Sequence, residues 1–279
     1  LVIVAVLGFG VYEEFYKPPR AWAGSVRNVE FTMGDLVKRI RVLQGVSGQV
    51  DLSVVPFEYM SNLLDAEVLR QASPGLGITL TDEDIDQALR SQFYPQVEPG
   101  QQVDPGQLDE EYAATYQIFL DRTNLSDQDY RTIVEERLAI GWLSLLLGQQ
   151  IADPQEQVEV EWIRLDYGGS VDPTEVKTRL DDGDEFDAVA IEVGASGGFA
   201  NDQGYVGWVP QGAFMDLDVV LFGDSENDVE PLVVGAISEP QFAQDAVFII
   251  KKLAGPEERE FEFKMLRQLV NVRVDEWQS

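Results

Sequence analysis

The sequence predicts an α+β protein in which a helical region precedes a smaller, strand-rich one. Three observations predict it. Between Val26 and Ile151, apolar residues recur at helical spacing behind three similar hydroxyl–acid starts. Further on, Val158-Glu159-Val160-Glu161-Trp162-Ile163-Arg164-Leu165 and Val247-Phe248-Ile249-Ile250-Lys251 read as strands. Between these strands lies Gln203-Gly204-Tyr205-Val206-Gly207-Trp208-Val209. Its two glycines flank an aromatic and a β-branched residue, the mark of a tight bend or a close backbone approach.

The chain opens on Leu1 to Val11, an unbroken run of apolar and glycine residues. As a helix this run spans ~16 Å, about half of a ~30 Å bilayer core. We read residues 1–25 as the outer end of a membrane helix and its exit linker. Tyr12, Phe15, Tyr16 and Trp22 would form an interfacial aromatic belt, and Lys17-Pro18-Pro19-Arg20 a stiff exit. A signal-peptide remnant or a short buried helix are the alternatives.

Residues 26–152 read as a helical domain. Thr32-Met33-Gly34-Asp35, Thr81-Asp82-Glu83-Asp84 and Ser126-Asp127-Gln128-Asp129 each place a hydroxyl at the N-cap and an acid three residues on, a shortened capping box. Pro56 to Gln71 reads as another helix, stopped by Ser73-Pro74-Gly75, and Gln96 to Gly106 as a loop. Asp153-Pro154 ends the helical part. Gly255-Pro256 breaks the chain after the last strand, and Glu257 to Trp277 returns to helix with Phe261, Met265, Leu266, Leu269 and Val270 on one side.

Composition narrows the function. Cysteine is absent, which excludes disulfides, thiolate nucleophiles and zinc–thiolate sites. Histidine is absent too, which removes the usual general base and transition-metal ligand. The formal net charge of −30 argues against nucleic acid and anionic lipid as partners. The acidic stretch Asp181-Asp182-Gly183-Asp184-Glu185 lacks the ligand spacing of a calcium loop, with Gly183 better explained as a helix cap. Gly194-Ala195-Ser196-Gly197-Gly198 is glycine-rich without the lysine of a nucleotide loop. No metal and no cofactor are expected.

The order of motifs over residues 158–253 resembles the parvulin family of peptidyl-prolyl isomerases. That family's pattern reads roughly His-Ile-Leu, Gly-x-x-Phe-x-x-Ala, Gly-Gly-Asp-Leu-Gly-Trp, Gly-x-Ile-Ser-x-Pro, Gly-Tyr-His-Ile-Ile. Here the corresponding pieces are Trp162-Ile163, Gly183 with Phe186 and Ala190, Gly204-Tyr205-Val206-Gly207-Trp208, Gly235-Ala236-Ile237-Ser238-Glu239-Pro240 and Val247-Phe248-Ile249-Ile250. The resemblance implies a small antiparallel sheet flanked by helices over 153–254. The helical region resembles the N-terminal chaperone module of extracytoplasmic foldases of the SurA and PrsA type. In that family a C-terminal segment packs back on the N-terminal helices. The resemblance therefore implies that 255–279 does so here, and that the parvulin domain is an insertion.

The same resemblance assigns the site. The two family histidines fall on Trp162 and Phe248, and the third polar position, the candidate catalytic residue, on Ser196. Val206, Phe214 or Met215, Leu217 and Phe222 fall at the apolar positions of the proline pocket. Two imidazoles exchanged for two large rings leave an apolar pocket without tunable donors. Trp162 and Phe248 are either core packing between neighbouring strands or the wall of a retained binding pocket. The function implied is a membrane-anchored, extracytoplasmic foldase, at the cell surface or in the periplasm, whose partners are unfolded or nascent secreted polypeptides. An isomerase relying on its apolar pocket and a non-catalytic scaffold of a membrane complex are the rival readings.

Overall fold

The computed structural model describes residues 18–47, 55–97, 104–194 and 199–279. The chain forms two compact units, Leu1–Leu145 and, in the main, Leu146–Trp277. It is an α+β protein, as the sequence predicts.

In the first unit, β1 (Trp22–Val26) and β2 (Val29–Thr32) form an antiparallel hairpin. Five helices follow: α1 (Met33–Ser47), α2 (Val55–Leu76), α3 (Asp82–Phe93), α4 (Pro105–Thr123) and α5 (Asp127–Gly148), the last running past the unit boundary. The three hydroxyl–acid starts are helix caps. The Thr32 amide donates to Asp35 Oδ2 at 3.0 Å, and the Thr81 amide to Asp84 Oδ2 at 2.8 Å, while Ser126 Oγ accepts the Asp129 amide at 3.1 Å. Aspartate thus serves where the usual box has glutamate.

Two helix boundaries differ from the sequence reading. Helix α2 runs through Ser73-Pro74-Gly75 and stops at Gly77, which is left-handed at φ +73°. The Ile78 amide reaches back to the Ser73 carbonyl at 3.0 Å, closing the last turn. Pro74 is tolerated because so little helix follows it. Asp104-Pro105-Gly106, read as loop, instead opens α4: Asp104 caps the Gly106 amide at 2.9 Å and Pro105 takes the first helical position. A core of Leu89, Phe119, Tyr130 and Val134, with Phe93 and Tyr116 against it, holds α3, α4 and α5 together. Trp22, expected at a membrane interface, opens β1 and is 65% exposed. Among the described residues no helix is long and apolar enough to cross a membrane. The anchor expected over 1–11, with Tyr12, Phe15 and Tyr16, lies outside them.

The second unit is built on a four-stranded antiparallel sheet in the order β4-β3-β6-β5, made of β3 (Gln155–Asp166), β4 (Tyr205–Pro210), β5 (Gln241–Phe242) and β6 (Ala246–Arg259). Both faces are covered, and the period of two divides the residues between them. From β3, Val158, Val160 and Trp162 enter one core while Ile163 and Leu165 enter the other. Helices α6 (Pro173–Asp181) and α7 (Phe186–Val193) seal the second core with Val176, Leu180, Phe186 and Val189. Helices α8 (Met215–Phe222) and α9 (Phe263–Gln278) seal the first with Leu217, Leu221, Met265 and Leu269.

This arrangement corrects three expectations. First, α9 was expected on the N-terminal helices; Met265 and Leu269 are buried in the sheet's core, while Val270 lies close to Gly148 at the end of α5. The buried stripe of α9 matches a sheet face otherwise only half covered by the short α8. Second, Gly255-Pro256 does not end the strand. β6 continues to Arg259 opposite Gln155, with a bulge between Gln157 and Glu159. Gly255 sits there at φ +92°, and a Cβ would come within 2.7 Å of the Gln157 carbonyl. Third, the glycine–tryptophan segment, read as a tight bend or a close backbone approach, forms strand β4, and the close approach is made at Gly204. Gly207, at φ +93°, marks a bulge between Val160 and Glu161 of β3. The bulge turns both Val206 and Val209, an odd number of residues apart, toward the same core.

One carboxylate within this unit carries a pH signature. Asp218 on α8 accepts the Gly212 amide at 2.9 Å, and burial pushes its pKa up from 3.8 to about 6. Between about pH 4 and 6 the folded chain therefore holds a proton that the unfolded chain has released. Stability falls as pH rises through that window and levels off above it. Asp218→Asn keeps an acceptor for Gly212 and removes the titration. The variant's melting temperature should gain on wild type from pH 4 to pH 6 and then run parallel; parallel curves throughout would remove Asp218 as the cause.

Candidate functional site

The two positions matched to the family histidines meet on one sheet face. Trp162 of β3 stands opposite Ile250 of β6, and Phe248 opposite Arg164, so the two rings are diagonal cross-strand neighbours. Their centroids lie 5.5 Å apart at 76°. Phe214, at the N-cap of α8, meets Trp162 at 5.0 Å and 83°, and Phe199 meets Phe214 at 4.9 Å and 85°. Each contact is edge to face, the geometry aromatic quadrupoles favour.

Gly204 lets this cluster close. It lies at φ +86°, its carbonyl accepts the Trp162 amide at 2.8 Å, and a Cβ there would come within 3.0 Å of the Trp162 carbonyl. A side chain at 204 would push β4 off β3 at the level of the tryptophan.

Beside the cluster is a cavity of about 250 Å³. Phe214, Met215, Leu217 and Phe248 line it, together with Val272 of α9 and polar groups from Asp216, Gln244, Asp245 and Gln268. Its volume is large enough to admit a proline ring or a similar apolar side chain. Gln268 Nε2 holds the Ala213 carbonyl at 2.9 Å, fixing α9 against the start of α8. Of the remaining sequence-assigned residues, Val206 is fully buried in the core and Phe222 packs partly buried against it; neither is on the cavity wall. Ser196 lies outside the described residues. A larger cavity of about 540 Å³, lined by Leu147, Gln150, Arg273 and Trp277 among others, contains none of the motif residues.

Two cavity elements went unrecognised in the sequence. Gln268 and Val272 were missed because α9 was placed elsewhere. Ala243-Gln244-Asp245, the turn between β5 and β6, was passed over because it carries no motif.

The electrostatics of the cluster are those of a dry core. Trp162 is 2% exposed, and its indole N–H is buried without a hydrogen-bond partner among the described residues. On the same face of β6, Lys252 is also buried. Its ammonium donates to the Leu221 carbonyl at 2.9 Å, near the C-terminus of α8, and desolvation lowers its pKa. Among the described residues the wall carries no hydroxyl, thiol, amine or imidazole; its ionisable groups are the carboxylates of Asp216 and Asp245. What the arrangement can do is take an apolar group out of water. Among the described residues no group of three or more metal-ligating side chains occurs. Asp181 and Asp184 of the acidic stretch pair instead with Lys177 and Arg179.

No family model matches the chain, and no curated protein matches it. Among solved structures it is similar to parvulin-type foldases. They include the peptidylprolyl isomerase PrsA of Bacillus anthracis (16% identity, 78% of this chain and 88% of that one, TM-score 0.42). The foldase PrsA of Streptococcus pneumoniae is another (12% identity, 93% and 88%, TM-score 0.39). NmPin, the parvulin of Nitrosopumilus maritimus, matches over a shorter span (22% identity, 36% of this chain and 99% of that one, TM-score 0.29). At these identities and TM-scores the likenesses carry no argument about function, which rests on the chain's own residues.

The buried indole makes a sharp test. Trp162→Ala empties a large core site and should cost about 3–5 kcal/mol in urea unfolding. Trp162→Phe keeps most of the ring and deletes the unpaired donor, whose burial is itself unfavourable, so it should cost no more than about 1.5 kcal/mol. A loss for Trp162→Phe well above that figure would mean that the indole N–H is paired.

Proposed function

We propose that this protein is a parvulin-like foldase that has kept the binding part of its site and lost the catalytic part. Its second unit binds proline-containing segments of unfolded polypeptides. The first unit serves as the helical chaperone module, offering apolar surface to the same clients. The observation that supports this reading is the cavity: Phe214 and Met215, the alternatives for one pocket position in the parvulin resemblance, line it with Leu217 and with Phe248 from a histidine position, and it is large enough for a proline ring. The large formal charge, −30, keeps client complexes soluble.

Catalysis is weak in this reading for a physical reason. Twisting a prolyl amide means crossing a barrier of ~18–20 kcal/mol, which parvulins lower with polar groups around the carbonyl. Here those positions hold an indole and a phenyl ring, and the chain has no histidine. The test has two parts. Molar excess of the protein should suppress aggregation of a chemically unfolded client, followed by light scattering. A prolyl-peptide assay should show little acceleration over the uncatalysed tens to hundreds of seconds, with no step between about pH 6 and 8 where imidazole titrates. Failure to suppress aggregation would favour a scaffold, and a fast rate lost on truncating Leu217 would favour an isomerase working through its apolar pocket.

The location belongs to the same proposal. The apolar run Leu1–Val11 and the aromatic residues after it support a chain tethered to the membrane with its bulk outside the cytoplasm. Protease added to intact cells should release the folded part; release only after lysis would place it inside.

A further inference from the structure

The cavity wall divides by chemistry. Its floor is apolar, made by Phe214, Leu217, Phe248 and Val272, and its charged members are the carboxylates Asp216 and Asp245. Among the described residues no lysine or arginine lines it. Asp216 Oδ2 accepts the Gln244 amide at 2.9 Å, and its other oxygen has no partner among the described residues. Asp245 Oδ2 accepts from Arg164 at 3.0 Å, but that guanidinium also pairs with Asp166, so one arginine is shared between two acids. The mouth of the pocket therefore carries uncompensated negative charge on a chain that is already strongly acidic. Both carboxylates are largely exposed, so a ligand's cation could reach them at little desolvation cost.

Resting on the proline-binding reading above, we infer that the pocket selects proline next to a basic residue: the ring seats on the phenylalanine floor, and a flanking Lys or Arg reaches Asp216 and Asp245. These two aspartates are the specificity determinants. They add affinity for a cationic neighbour and reject an acidic one, because a glutamate beside the proline would face like charge. The interaction is between exposed charges, so it is modest and screened by salt.

The experiment compares short peptides that differ only beside the proline, Lys-Pro, Ala-Pro and Glu-Pro, titrated into the full chain and followed by fluorescence anisotropy. At low salt the Lys-Pro peptide should bind about five-fold tighter than Ala-Pro and Glu-Pro several-fold weaker, the ratios shrinking toward one near about 0.5 M salt. The double variant Asp216→Asn with Asp245→Asn should compress the Lys-Pro to Glu-Pro ratio toward one, with melting curves confirming the fold. The control is Glu226→Gln with Asp228→Asn, which removes the same charge from a loop outside the cavity and should preserve the ratio. If the control compresses the ratio as much as the pocket variant does, the preference is a whole-molecule charge effect and this proposal is overturned. If all three peptides bind equally, it is overturned while the proline-binding reading stands. If none binds, both readings fail.

Discussion

The constraint on which the second unit depends is that the paired middles of β3 and β6, around Trp162–Leu165 and Ala246–Ile250, supply buried residues to both faces. Along such a strand each buried apolar residue belongs to one core or the other, and a slip of one register step would exchange them. Val158, Val160 and Trp162 are committed to one side and Ile163 and Leu165 to the other. The long pairing with β6 carries the same division through Phe248, Ile249 and Ile250. The rest of the unit follows: helix pairs on both faces, glycines where backbone must come close, and bulges where the alternation has to be reset.

The site is a by-product of this layering. Trp162 and Phe248 share a face because both are on the same parity of paired strands, and α8 crosses that face with Phe214 as its N-cap. The question left open by the sequence, whether these rings are core or pocket wall, is answered differently for each. Trp162 is core, enclosed on the sheet with its indole N–H unpaired. Phe248 is buried against it and also lines the cavity. In the proposed reading, rings at the histidine positions move the balance from polarising an amide to sequestering an apolar ring; the two rings themselves meet edge to face.

Much of the fold was legible because it rests on local chemistry. The hydroxyl–acid caps at Thr32, Thr81 and Ser126 are local hydrogen bonds, so the sequence announces them. The strand alternation of 158–165 is equally direct. What was not legible depends on partners distant in sequence. The amphipathic stripe of α9 shows that it buries a face but not against what, and the family resemblance pointed to the other unit. Gly255-Pro256 and Gly207 look like breaks when read alone. They become bulges only once β3 is laid beside them, since a bulge is a property of a pair of strands. Pro74 looks like a stop, while the stop is Gly77, whose left-handed backbone closes the turn. The apolar cavity residues on α8 came with the motif; Gln268 and Val272 arrive from a helix that no motif connects to it.

The position of α9 also has a consequence for synthesis. Met265 and Leu269 close a core whose first strand begins at Gln155. A chain leaving the ribosome or a translocation pore therefore presents β3, β4 and β6 with one sheet face still open until α9 has emerged. Through that interval the apolar face of β3 and β6 is shielded only by α8, and the domain is, for a time, the kind of sticky, half-built polypeptide that other proteins must protect.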